Sequence, residues 1–260
     1  MSLKIVFIGA GNVASHLAPA VESAGAGEVV QVYSRSLGSA QSLAAGLRGA
    51  TAVSDVSEIR SDADVYIVSL VDDAISPLVS RLPKGGNALW LHTSGSVGME
   101  VLAPLSDRYG VFYPLQTFSK GVDIDVSRVP LFIEGCEESV EAEIRSLGAQ
   151  VFANVYHADS NTRRMMHISA VFACNFTNHL WTIAAEILQK EGLPFEVLQP
   201  LLEETVKKAF AVSPEKGQTG PAVRGDRAII DKHLSMLSGQ PEKIYSLLSE
   251  SIIRHHSVDK

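Results

Sequence analysis

The chain has 260 residues, 46% of them hydrophobic and 20% charged, with a formal net charge of −7. That length suits two domains of ordinary size, and the acidic balance argues against a nucleic-acid partner, whose binding needs a positive footprint. No apolar run approaches the roughly 20 residues of a membrane helix, so no membrane partner is expected.

The chain begins almost directly on the strand-like Lys4–Ile8, so a secretory signal is not expected. Cys136 and Cys174 are the two cysteines. They form no metal-type spacing, and Cys174 in an apolar helical stretch reads as a buried free thiol. The expectation is a cytoplasmic protein without a metal.

Lys4–Ile8 is an apolar strand, followed by a glycine-rich turn and a helix to about Ala24. Val29–Tyr33 reads as a second strand and Ser39–Leu47 as a helix. Asp64–Leu70 is a near-continuous apolar strand, as expected where both faces of a sheet are covered. Ile75–Arg81 is helical and Ala88–His92 a further strand. Strands alternating with helices predict a mostly parallel, doubly wound sheet of Rossmann type. Gly110–Tyr113, Val129–Glu134 and Gln150–Phe152 extend it, with a helix over Glu138–Leu147. The boundary falls near His157, giving a dinucleotide-binding domain over 1–156 and an all-helical domain over 157–260.

In the second part the strand signals vanish. Asp159–Lys190 has apolar residues at helical spacing, a cap at Asp159 or Ser160, and a stop at Gly192 and Pro194. One helix of that length runs roughly 45 Å, enough to span the molecule. Glu196–Ala211 is helical, with Pro200 marking a break or a fresh first turn. A non-periodic loop, Ser213–Gly225, precedes helices over Asp226–Leu237 and Pro241–His255, with Gly239 ending one and Pro241 opening the next.

Gly9-Ala10-Gly11-Asn12-Val13-Ala14 follows the first strand and opens a helix. Gly9 permits the tight turn, Gly11 lets a pyrophosphate approach backbone and helix N-terminus, and Ala14 allows close helix–strand packing. Its place at the start of a βαβ pattern makes it a dinucleotide fingerprint. The second strand ends in Ser34-Arg35-Ser36, where an NAD enzyme usually places a carboxylate for the ribose hydroxyl. A guanidinium flanked by hydroxyls suits a 2′-phosphate instead, so the expected cofactor is NADP(H). Ligands of open α/β sheets lie outside the carboxyl ends of the strands. Val71 and Ser94 therefore join the cofactor side, and Ser94 with Gly95 borders the substrate. Asp72 and Asp73 read as caps of the next helix.

These stretches, with His92-Thr93-Ser94-Gly95, Tyr113-Pro114-Leu115-Gln116-Thr117-Phe118 and Gln218–Asp226, occur in an order that resembles a bacterial family assigned as NADP oxidoreductases. That family has a Rossmann-like half and a helical half. Its layout is similar to pyrroline-carboxylate reductase, ketopantoate reductase and the β-hydroxyacid dehydrogenases. The resemblance covers nearly the whole chain and supplies no substrate. It implies that the Rossmann half holds the dinucleotide, while the helical half closes the substrate pocket and forms a homodimer. Ketopantoate reductases and β-hydroxyacid dehydrogenases use a lysine on the first helix after the Rossmann half. Between Asp159 and Leu188 this chain has none. Pyrroline-carboxylate reductases work without it and carry a polar substrate loop before a late helix, much as Gln218–Asp226 stands here.

In the helical half, His167 and Asn178 are 11 residues apart, within about 20° on an ideal helix. Asn175 lies about 60° from Asn178, so the three could share one polar side. His167 is the candidate proton donor for a carbonyl or imine under reduction, with Asn175 beside it. Thr219 and Arg224 could clamp a substrate carboxylate, and Asp226 could orient Arg224 or cap the next helix. The resulting expectation is NADPH-dependent reduction of a small, carboxylate-bearing C=O or C=N compound in the cleft between the domains. The competing readings are a catalytically silent NADP-binding sensor and a β-hydroxyacid dehydrogenase.

Overall fold

The computed structural model describes residues 2–84 and 86–257. They divide into two compact units, one up to Cys174 and one from Asn175 on, with the division inside the π-helical turn Val171–Phe176.

The first unit contains β1 (Lys4–Ile8), α1 (Asn12–Ser23), β2 (Glu28–Tyr33), α2 (Leu37–Ala44), β3 (Thr51–Val53), β4 (Val65–Val68), α3 (Asp72–Val79) and β5 (Leu89–His92). After these come β6 (Tyr109–Pro114), β7 (Leu131–Gly135), α4 (Glu138–Val151), β8 (Val155–His157) and α5 (Ser160–Ala170). The eight strands form one sheet in the order β3-β2-β1-β4-β5-β6-β7-β8. Neighbours are parallel except β6 and β7, so β7 and β8 run against the rest. This is the expected Rossmann-type architecture.

Alternation along each strand supplies two cores. Ile5 and Phe7 of β1 point into one, with Leu17, Ala18 and Val21 of α1 and Ile144 and Leu147 of α4. Val6 and Ile8 point into the other, with Ile75 and Val79 of α3 and Trp90 of β5. Side chains on a strand face opposite sides with period two, which is why these apolar runs are continuous. The strand order reverses between β1 and β4, and their carboxyl ends open the ligand crevice.

Several expectations need correction. The strand expected at Gln150–Phe152 is instead the last turn of α4 and its exit, and the strand lies at 155–157. Val140, Ile144, Leu147 and Val151 are buried at helical spacing, and that packing outweighs the β-propensity of Val151-Phe152. Gly148 lets α4 settle on β7, since a Cβ there would come within 2.5 Å of Leu131 Cδ2. The short edge strand β3 gave no sequence signal. Asp159 caps α5 as expected, accepting from Thr162 N–H at 2.7 Å. The expected single helix over Asp159–Lys190 is interrupted by the π turn at 171–176. That turn breaks the 3.6-residue phase on which the shared face of His167, Asn175 and Asn178 was argued.

The second unit contains α6 (Thr177–Lys190), α7 (Gln199–Val212), the single turns α8 (Pro214–Gly217) and α9 (Pro221–Arg224), α10 (Arg227–Met236) and α11 (Gln240–Ser257). It is helical throughout, as expected. Pro200 sits in the first turn of α7. The stretch 213–225 is a loop holding two short turns, with Gly220 and Gly225 at positive φ. Neither α6 nor α7 contains a buried residue, and Cys174, expected to be buried, is exposed. Leu180 and Ile187 of α6 and Leu201, Val206 and Phe210 of α7 are exposed.

Candidate active site and nucleotide groove

The turn after β1 is built by Gly9. Its φ is +120°, and a Cβ there would lie 2.0 Å from the carbonyl oxygen of Ser69, at the end of β4. Only glycine allows the two strand ends to approach so closely. Gly9 N–H donates to the Tyr33 carbonyl at 2.8 Å, tying the turn to β2. Gly11 is the N-cap of α1 with no side-chain cap, and nothing lies within 4 Å of where its Cβ would stand. The first amides of α1 therefore open onto free space, as a phosphate requires.

A groove of about 780 Å³ runs along these strand ends, lined by Gly9, Ala10, Gly11, Ser34, Arg35, Ser36 and Val71 among others. The structure thus gathers most of the expected cofactor residues in one place. Asn12 and Val13 lie in the first turn of α1, and Ser94 lies beyond the groove's lining. Ser36 also caps α2, accepting from Ser39 N–H at 3.3 Å. The far wall is one face of α3 and the turn after it: Asp73, Ala74, Pro77 and Leu78 on the helix, and Arg81 just past its end, four residues on from Pro77. Arg81 and Lys120 were not foreseen. The 73/77/81 spacing carried the signal for Arg81. Nothing in the sequence around Lys120 did so. Arg35, Arg81 and Lys120 face a single lining carboxylate, Asp73, and none of the three cations is ion-paired among the described residues. With no carboxylate at 34–36, the groove fits a dinucleotide carrying an extra phosphate.

Beyond β5 a second cluster forms. Ser94 Oγ donates to Asp72 Oδ1 at 2.7 Å and accepts from Ser96 N–H and Val97 N–H. Asp72 was expected to cap α3, but the N-cap is Val71, and the carboxylate holds Ser94. Buried His92 accepts the Ser94 N–H on Nδ1, so its ring proton resides on Nε2. Burial, then the nearby Arg163, pushes its pKa down to about 4, and the ring is neutral.

Tyr113, at the carboxyl end of β6, is hydrogen-bonded through its hydroxyl to His167 Nδ1 at 3.0 Å. Gly95 lies against this pair: a Cβ there would be 2.8 Å from Tyr113 Cζ and 2.9 Å from His167 Nδ1. Burial, and then the charge of Asp72, pushes the Tyr113 phenol up to about 12, so it stays protonated. The strand-end rule that singled out residues 92–95 would also have found Tyr113. One turn before His167, the fully buried Arg163 pairs with Glu134 Oε2 at 2.6 Å and donates to the Val97 carbonyl at 2.7 Å. Glu134 also accepts from Ser160 N–H and Oγ. This network fastens α5 to β7 and to the loop carrying Ser94 and Gly95.

In the second unit, Asn175 is exposed in the π turn and Thr219 lines an apolar cavity of about 270 Å³ with Leu180, Ile183 and Tyr245. Arg224 is exposed in α9. Asp226 caps α10 by accepting from Ile229 N–H at 3.2 Å and makes no ion pair with Arg224. Of its two expected roles it takes the cap.

The fold and groove define a Rossmann-type oxidoreductase, and its cofactor is NADP(H). The chain belongs to the family of a Bacteroides fragilis protein assigned as an NADP oxidoreductase: the two are 42% identical, with 97% of this chain and 98% of that chain covered, at a TM-score of 0.91. Residues 4–89 match the family described as "NADP oxidoreductase coenzyme F420-dependent", and 129–252 match "Domain of unknown function (DUF2520)". The fold is shared with a Thermotoga maritima protein at 19% identity, covering 98% of this chain and 99% of that one, TM-score 0.70. It is also shared with a Streptomyces aurantiacus imine reductase at 16% identity, covering 96% and 93%, TM-score 0.67. A search of curated proteins found no match. Among the described residues, no helix is long and apolar enough to cross a membrane, and no cluster of three or more potential metal-ligating side chains occurs.

Proposed function

We propose that the protein reduces a small C=N or C=O compound bearing a carboxylate. The observation that carries this reading is the Tyr113–His167 hydrogen bond packed against Gly95, in the same unit as the nucleotide groove. Bound NADPH supplies the hydride. Gly9, Ala10, Gly11, Asn12 and Val13 hold the pyrophosphate at the start of α1. Ser34, Arg35 and Ser36 hold the 2′-phosphate, and Val71 and Ser94 border the nicotinamide end. Asp72 and the Ser96 and Val97 amides saturate the Ser94 hydroxyl and so fix the loop that carries Gly95. His167 delivers the proton to the substrate heteroatom. For that step the ring carries N–H on both nitrogens: Nδ1–H donates to the Tyr113 hydroxyl oxygen, and Nε2–H is the proton delivered, which leaves a neutral ring.

Asn175, Thr219 and Arg224 are the proposal's substrate residues in the second unit, where Asp226 contributes by capping α10. Nucleotide binding is assigned to 1–156, and substrate contacts and homodimerisation to 157–260. The dimer reading is supported by α6 and α7, in which no residue is fully buried within the chain, and the two free thiols suit a reducing, cytoplasmic compartment.

Calorimetric titration with NADPH and NADH, repeated on Arg35→Ala, tests the cofactor side. The expected loss for NADPH is about tenfold or more, with NADH unchanged. A small cyclic imine and a 2-oxo acid, supplied with NADPH, test the chemistry. His167→Ala should lower kcat on a turned-over substrate by about 10²-fold or more. NADPH binding without turnover of any imine or oxo acid would overturn the reductase reading.

A further inference from the structure

Lys120 reaches the groove from outside the Rossmann crossovers, in the segment between β6 and the short turn Val126–Arg128. Three contacts hold that segment in place. The Phe118 side chain is buried in the core shared by α1 and α4. His16, on the second turn of α1, lies with its ring 5.2 Å from that of Phe118. Its Nε2–H donates to the Ser119 carbonyl at 3.0 Å. The same carbonyl accepts from Val122 N–H at 3.2 Å, closing a four-residue turn. Gly121 occupies the third position at φ +81°, the value a type II turn demands and glycine supplies without strain. Lys120 is the second residue of this turn, where the side chain projects outward. It is exposed, forms no ion pair among the described residues, and lines the groove together with Gly9, Ala10 and Gly11.

We propose that Lys120 is a pyrophosphate ligand, presented over the start of α1 by a turn that His16 latches in place. This rests on the NADP(H) assignment and adds to it a cation from a different part of the chain. The latch is what assigns Lys120 to the pyrophosphate. It fastens the turn to the helix whose N-terminal amides open beside Gly11, whereas the 2′-phosphate end belongs to Ser34, Arg35 and Ser36 after β2. A helix N-terminus neutralises about half a charge, which leaves most of a pyrophosphate's charge to a side chain. An ammonium on a flexible stem suits a tetrahedral group that needs no fixed fork.

Three probes separate the two ends: NADPH, ADP (pyrophosphate without 2′-phosphate) and 2′-AMP (2′-phosphate without pyrophosphate). Lys120→Ala should weaken NADPH and ADP about tenfold and leave 2′-AMP within about twofold. Arg35→Ala should do the reverse, weakening NADPH and 2′-AMP but not ADP. His16→Ala should move in the direction of Lys120→Ala by a smaller factor, because the turn is then no longer latched. The Lys120→Ala loss should shrink as salt rises. Unchanged NADPH and ADP binding in Lys120→Ala, or equal weakening of 2′-AMP, would overturn the proposal while the cofactor assignment stands. A wild-type protein that binds none of the three would remove the cofactor assignment and this proposal with it.

Discussion

Two residues show how much the site depends on single side chains, or on their absence. At Gly9 a methyl group would meet the Ser69 carbonyl at 2.0 Å while the backbone holds φ +120°. Gly9→Ala should therefore cost at least ~2 kcal/mol in urea unfolding and abolish NADPH binding in titration, since the turn cannot re-form around the added carbon. His92 acts through pH. Its folded pKa is lowered to about 4 from 6.5, so the unfolded ring takes up a proton first as pH falls. Its contribution is intact above pH 6.5 and is lost progressively down to about pH 4, where the folded ring also protonates. The loss attributable to this group is on the order of 3 kcal/mol. Urea midpoints measured across that range should fall less steeply in His92→Gln than in the wild type; parallel profiles would show that another group drives the acid sensitivity.

At the scale of elements, α5 is held by a buried ion pair rather than by apolar packing: its one buried side chain is Arg163. That guanidinium bridges β7 through Glu134 and the loop after β5 through the Val97 carbonyl, and so sets where His167 meets Tyr113 and Gly95. Removing one member leaves a buried charge without its partner. Arg163→Met should destabilise by roughly 3–5 kcal/mol, and pairing it with Glu134→Gln should recover part of that loss, as a double-mutant unfolding cycle would read. A double-variant loss equal to the sum of the two single losses would mean that the pair does not act as a unit. The same element shows the limit of periodicity. The apolar pattern from Ile168 onward reads as unbroken helix, yet six residues wind as a π turn, because wide turns depend on what packs around them rather than on propensity.

For the molecule as a whole, the exposed apolar surface of the helical unit is the dominant feature. Phe210 is 90% exposed and Leu201 62%, on a helix that buries no residue of its own. Isolated apolar residues are ordinary on a surface, and several on one helix are what the proposed homodimer would cover. The proposed homodimer should appear in sedimentation equilibrium at micromolar concentration. Phe210→Asp should shift it toward monomer by about tenfold or more in dissociation constant, with far-ultraviolet circular dichroism unchanged. A wild-type monomer would sink the dimer reading.

The sequence by itself determined the nucleotide half: the alternation of strands and helices, the Gly9–Gly11 cradle, and an arginine where a carboxylate would select NAD. Those features are legible because each is local. A strand, a turn and a helix N-terminus are specified within a few adjacent residues, and a glycine requirement is a property of one dihedral angle. Only the tertiary structure decided the rest. Tyr113 and His167 meet across 54 positions of chain, Glu134 and Arg163 across 29, and His16 finds Ser119 across 103. The side chain that completes each pair depends on strand order and helix placement, and neither leaves a pattern in the residues themselves. Strand β3 and the last turn of α4 were missed for the same reason: one is an edge strand defined by its pairing with β2, the other a helix end defined by burial against β7.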